Sequence, residues 1–122
     1  MKIFAFACRA KNNLEEHMPE IMKINEMVAY QKQAIVSKTL VEKESGTVTL
    51  FAFDKDQALS EHTAPFDALV QVIDGRAEIR IAGVPHLVNE GEMLVMPAQQ
   101  SHALKALTPF KMMLTMIRSQ NK

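Results

Sequence analysis

An all-β domain is the fold class this sequence predicts, and three observations point to it. From residue 34 onward, short runs rich in Val, Ile, Phe, Thr and Leu are separated by turn residues every eight to twelve positions, the rhythm of a sandwich or barrel. Glu78-Ile79-Arg80-Ile81 alternates with period two, which turns Ile79 and Ile81 inward and leaves the charges in water. No helical repeat and no low-complexity tract interrupts the pattern. With 122 residues and 48% apolar content, the chain suits one domain around one core.

Taken in order, residues 1–33 read as a partly helical N-terminal extension and 34–122 as the barrel. Ile3-Phe4-Ala5-Phe6-Ala7-Cys8 resembles the start of a signal peptide, but Arg9 and Lys11 cut the apolar run short. Asn12 or Asn13 is placed to cap a short helix through Leu14–His17. Ile21, Ile24, Met27 and Val28 recur at helical spacing, which predicts an amphipathic helix lying on the barrel or on a second subunit. Residues 1–21 are expected to be peripheral, with Met22 a natural beginning for a compact β domain. The strand runs that follow are Ala34–Val41, Thr47–Phe53, Ala68–Ile73, Ala77–Ile81, His86–Val88, Met93–Met96, His102–Leu107 and Phe110–Ile117. Asp74-Gly75, between two such runs, predicts a tight hairpin, because that turn needs the positive φ that Gly adopts at little cost.

Composition excludes several functions. Fourteen basic and fourteen acidic residues give a net charge of zero, with no basic block for nucleic acid or anionic lipid. No run approaches the length of a membrane span. Cys8 is the single cysteine, so an internal disulfide or a Cys-rich zinc site is ruled out, and a reducing, cytoplasmic setting is expected. Gly-rich phosphate loops, nucleophile elbows and paired carboxylates are all missing.

Two histidines sit in ordered frames, Ser60-Glu61-His62 and Pro97-Ala98-Gln99-Gln100-Ser101-His102. The frames resemble the two motifs of the cupin superfamily. The first, G-x5-H-x-H-x3,4-E-x6-G, is met by His62 and Gly75, with Asp56, Ala64 and Ala68 at its opening Gly, second His and Glu positions. The second, G-x5-P-x-G-x2-H-x3-N, is met by Gly91, Pro97 and His102, with Gln99 and Ala106 at its middle Gly and Asn positions. The resemblance covers residues 34–117 and implies a double-stranded β-helix, the cupin or jelly-roll barrel. It further implies that His62 and His102 share the barrel mouth, where they are the candidate ligands for a divalent transition metal such as Zn, Mn, Fe or Ni.

Two of the four usual ligand positions are alanine. A third ligand would have to come from Glu61 or Asp67, and alternation puts Glu61 on the face opposite His62. Gln71 shares parity with Leu69 and Ile73 rather than with the inward set. His17 and His86 have no partner at ligand spacing, and Cys8 has no activating neighbour. Of nine methionines, Met93, Met96, Met112, Met113 and Met116 are concentrated in the C-terminal strands; they suit gap-filling core and dimer packing better than the lining of an adaptable ligand pocket or soft ligation of copper. The expected ligand pocket is formed by His62, Ala64, Ala68, Val70, His102 and Leu104, with Val72, Ile79, Ile81 and Phe66 extending its walls. Two functions are therefore expected in order of preference. The first is binding of a small molecule, a sugar or an organic acid, with or without a weakly held metal. The second is metal-dependent catalysis of the dioxygenase or isomerase type. A homodimer is expected to protect the barrel's edges.

Overall fold

The computed structural model describes the backbone of residues 2–7 and the whole of residues 19–118. Ten strands make up almost all of the regular structure: β1 Lys2–Ala7, β2 Ala34–Lys43, β3 Gly46–Phe53, β4 Ala58–His62, β5 Phe66–Asp74, β6 Arg76–Ile81, β7 Val84–Asn89, β8 Met93–Met96, β9 His102–Ala106 and β10 Phe110–Arg118. They form a six-stranded sheet in the order β1-β2-β3-β10-β5-β8 and a four-stranded sheet in the order β4-β9-β6-β7. Neighbours are antiparallel throughout, except that β1 runs parallel to β2.

The two sheets face each other across one core. Ile35, Phe53, Val70, Val72, Ile79, Phe110 and Met112 are its most deeply buried large residues, none more than 3% exposed. Phe53 and Phe110, opposed in the β3–β10 register, stack with centroids 4.6 Å apart. Alternation explains the burial: along β5, Ala68, Val70 and Val72 are buried while Leu69, Gln71 and Ile73 lie on the other face.

Two sequence expectations are corrected. Asp74-Gly75 does not close a hairpin. β5 pairs with β8 and β10, whereas β6 pairs with β7 and β9, so the chain turns a corner there and passes from one sheet to the other. Gly75 still needs its positive φ of 76°. The helix expected through Ile21, Ile24, Met27 and Val28 shrinks to a 3-10 turn at Ile24–Glu26 that has no side-chain cap. Ile21 is fully exposed, and Val28 is instead buried with Val36, Leu50 and Ala52 on the outer face of the larger sheet. Packing on that face, not helical periodicity, sets the conformation of this segment. The helix expected at Leu14–His17, together with Cys8, lies outside the described residues, and the N-terminal run ahead of them forms β1 at the sheet edge.

Tyr30 fixes the same segment to the barrel. Its hydroxyl donates to Asp74 Oδ2 at 2.5 Å, and the ammonium of buried Lys111 lies over its ring while donating to the Asn25 carbonyl. Burial, and then the neighbouring Asp74 carboxylate, push the phenol well above its ordinary range. A raised folded pKa contributes stability that is present below the unfolded value and lost as pH rises past it. Tyr30 is the only tyrosine, so alkaline titration at 295 nm reads it alone. Phenolate absorbance should stay absent through the pH range where free tyrosine ionises, near pH 10, and should appear together with unfolding. Ordinary titration near pH 10 in folded protein would contradict this placement.

Candidate functional site

β4 and β9 lie side by side in the smaller sheet, and their register sets His62 directly opposite His102. Both histidines use the same local device. His62 Nδ1 reaches the Ser60 carbonyl oxygen at 2.8 Å, and His102 Nδ1 reaches that of Gln100 at 3.3 Å, each two residues back along the chain. A carbonyl oxygen only accepts, so each Nδ1 carries the hydrogen and each ring presents its Nε2 edge to the other. The two Nε2 atoms stand 3.1 Å apart, with ring centroids at 4.3 Å and planes inclined by 68°. A proton or a cation between the two Nε2 atoms would satisfy both lone pairs. His62 is exposed and His102 is only 7% exposed. Burial first, and then the proximity of His62, hold His102 below the usual imidazole range.

The pair opens on a small cavity of about 60 Å³ between the sheets. Ala64, Ala68 and Leu104 line it with the two histidines, as do Leu59, Phe66 and Met96, and Met112, Leu114 and Met116 complete the wall. Val70, expected in the pocket, is fully buried one row deeper, opposite Leu94 and Leu114, and does not line it. Met96, Met112 and Met116 thus line the cavity, the pocket role that the sequence ranks below gap-filling packing, and Met112, Leu114 and Met116 alternate along β10. Wider depressions beside Lys43–Ser45 and along Val41–Val48 are open grooves away from the histidines.

The loops carrying the motif residues keep their shape without their usual glycines. Asp56 and Gln99, which occupy two of those glycine positions, both hold positive φ, 69° and 68°. A side chain in that conformation costs about 1–2 kcal/mol. The Gln99 amide recovers part of this by donating to the Ala64 carbonyl at 2.9 Å.

Neither candidate third ligand reaches the pair. Asp67 Oδ1 accepts from the Ala98 amide at 2.9 Å, and Glu61 Oε2 accepts from the Ser101 hydroxyl at 2.9 Å. Gln71 lies on the outer face of β5. Among the described residues, no group of three His, Cys, Asp or Glu side chains is placed to hold a metal ion. His86 is partly buried on edge strand β7, across the whole width of the smaller sheet from β4, and His17 lies outside the described residues. A hard divalent ion held by imidazoles and a carboxylate therefore does not fit these residues: the chain supplies two of the four ligands and methyl groups at the other two positions.

No protein-family model matches the sequence, and a comparison with curated proteins also gives no match. Solved structures do match. A conserved protein of unknown function from Streptococcus pyogenes is 33% identical, covers 85% of this chain and 91% of its own, and superposes with a TM-score of 0.81. A cupin 2 conserved barrel domain protein from Leptotrichia buccalis is 41% identical over 77% of this chain, with a TM-score of 0.75. The chain belongs to the cupin superfamily. It spans 46% of the length of the Leptotrichia cupin. A cupin superfamily protein from Desulfitobacterium hafniense, at 23% identity, covers 92% of this chain and all of its own with a TM-score of 0.75, a likeness of fold. In this cupin the barrel and the paired histidines stand together, while the carboxylate and second histidine of the first motif are replaced by Ala68 and Ala64.

Proposed function

We propose that this cupin binds a small molecule in its barrel mouth and that the His62–His102 pair is the polar anchor. One observation carries the reading: two imidazole edges converge at 3.1 Å in a cavity whose remaining walls are apolar. Apolar walls with a few convergent polar groups are the usual form of a small-ligand site. A shared proton makes one Nε2 a donor and leaves the other an acceptor. That combination complements a hydroxyl, which both donates and accepts, and so suits a sugar or a hydroxylated organic acid. The cavity is small, so only one end of such a ligand enters while the rest lies across the mouth beside exposed His62.

The enzymatic reading, a dioxygenase or isomerase with a divalent ion at the same pair, would have to draw its remaining ligands from water or substrate. It ranks second for that reason. Fold membership does not choose between the two, since one barrel serves many chemistries. The reading includes a cytoplasmic setting, in keeping with the single cysteine. It also includes a homodimer: Met93, Val95 and Ile117 are more than half exposed on the outer face of the larger sheet, apolar surface that a second copy would cover. No helix among the described residues is long and apolar enough to cross a membrane.

The test is a thermal-shift panel of small sugars and hydroxy acids on protein kept in chelator. Ligand at 100 times its Kd stabilises by about 2.7 kcal/mol, a shift of several degrees. At least one class should produce it in the wild type and fail in His62→Ala, whose exposed ring the fold can spare. A panel with no shift, or one that shifts the variant equally, would overturn the proposal.

A further inference from the structure

The register across the larger sheet places two thioethers beside the vacant ligand position. On β5, Ala68 pairs with Met116 of β10 on one side and with Met96 of β8 on the other. All three face inward and line the cavity that holds His62 and His102. Directly opposed residues have Cβ atoms about 5 Å apart, within reach of a methionine side chain. The carboxylate that the family pattern has at position 68 is thus replaced by a methyl group with a sulphur-bearing side chain on each flank.

We propose that His62 Nε2 and His102 Nε2, completed by the thioether of Met96 or Met116, form a binding site for Cu(I). The inference builds on the histidine anchor proposed above and names the ion that the anchor accepts. The histidine geometry admits a metal ion, and the thioethers and the apolar cavity favour this one over a divalent ion. With a metal–nitrogen distance of about 2.1 Å, the 3.1 Å separation of the Nε2 atoms subtends roughly 95° at a shared ion. Two imidazoles already aimed at one point by carbonyl-bound Nδ1 atoms need little rearrangement to hold it. Thioether donors select soft Cu(I), whereas Mn and Mg want oxygen, and the carboxylates that would supply oxygen are engaged by Ala98 and Ser101. The cavity is also largely apolar, which suits an ion of low charge and few ligands better than one carrying a full hydration shell. Copper is taken up as Cu(I), so binding requires no electron transfer.

The experiment is anaerobic competition for Cu(I) against a chromophoric bicinchoninate chelator, using the full chain. Wild-type protein should withdraw one equivalent. His62→Ala and His102→Ala should each weaken retention by about 100-fold, and the double variant Met96→Leu/Met116→Leu by about 10-fold or more. Leu and Met are close in volume, so the double variant is expected to fold, and circular dichroism checks it. If only the imidazoles matter, the double variant keeps wild-type Cu(I) affinity and the proposal fails. Equal uptake by His62→Ala would mean that surface methionines bind the copper, and that also overturns it. X-ray absorption of the loaded wild type should show a sulphur neighbour that the double variant lacks; an all-nitrogen shell overturns the assignment. The chelated thermal-shift panel is run without copper, so either proposal can fail while the other stands.

Discussion

Gly75→Ala is expected to cost at least about 3 kcal/mol of folding stability. The added Cβ would lie 2.0 Å from the Pro109 carbonyl oxygen and 2.9 Å from Phe110 Cα, both backbone atoms that cannot swing aside. Relief would require the corner between the sheets to open, carrying Phe110 away from Phe53, on which it stacks. Gly83 supplies the control. It has a similar φ of 81°, but a Cβ there meets nothing within 4 Å. Gly83→Ala should therefore cost only the conformational term, about 1 kcal/mol. Urea denaturation of the two variants separates crowding from backbone preference. Similar losses in both would show that the Pro109 contact yields easily.

Ala64→His/Ala68→Glu should convert the site into one for a hard divalent ion. These substitutions place an imidazole and a carboxylate at the two positions where the family pattern has them, beside a histidine pair already aimed inward. Affinity for Mn(II) or Ni(II), measured by calorimetric titration, should rise by about 100-fold or more over wild type. Without metal the variant should be less stable than wild type, because Ala68 is only 4% exposed and a carboxylate there has no partner. Saturating metal should restore the lost stability. If affinity does not change, the two histidines cannot act as half of such a centre, and their convergence serves packing alone.

The sequence makes much of the barrel legible because burial alternates along the central strands. Along β5 and β6 the buried residues are apolar and recur every second position, as the pleat imposes on a half-buried strand; β10 departs from this, with Phe110, Lys111 and Met112 all buried. β4 escaped notice because Ala58-Leu59-Ser60-Glu61-His62 is an exposed edge with one large apolar residue. The corner at Gly75 was read as a hairpin because Asp-Gly suits either turn. What separates them is which strands pair, β5 with β8 and β10 and β6 with β7 and β9, and those partners are remote in sequence. Similarly, the motif frames located His62 and His102, but the methionines flanking Ala68 become neighbours only through cross-strand register. Ala64 and Ala68 were visible as vacancies; the side chains bordering them were not.

The place of β10 in the larger sheet has a consequence for how the protein is made. This strand lies between β3 and β5 and bonds to both, so those two strands are not joined into one sheet until it has been made. A chain emerging from the ribosome holds Phe53 and the inner face of β5 uncovered until then, and non-local pairing of this kind closes slowly. Completion of the larger sheet therefore waits on β10, and its apolar strands are open to aggregation in the interval.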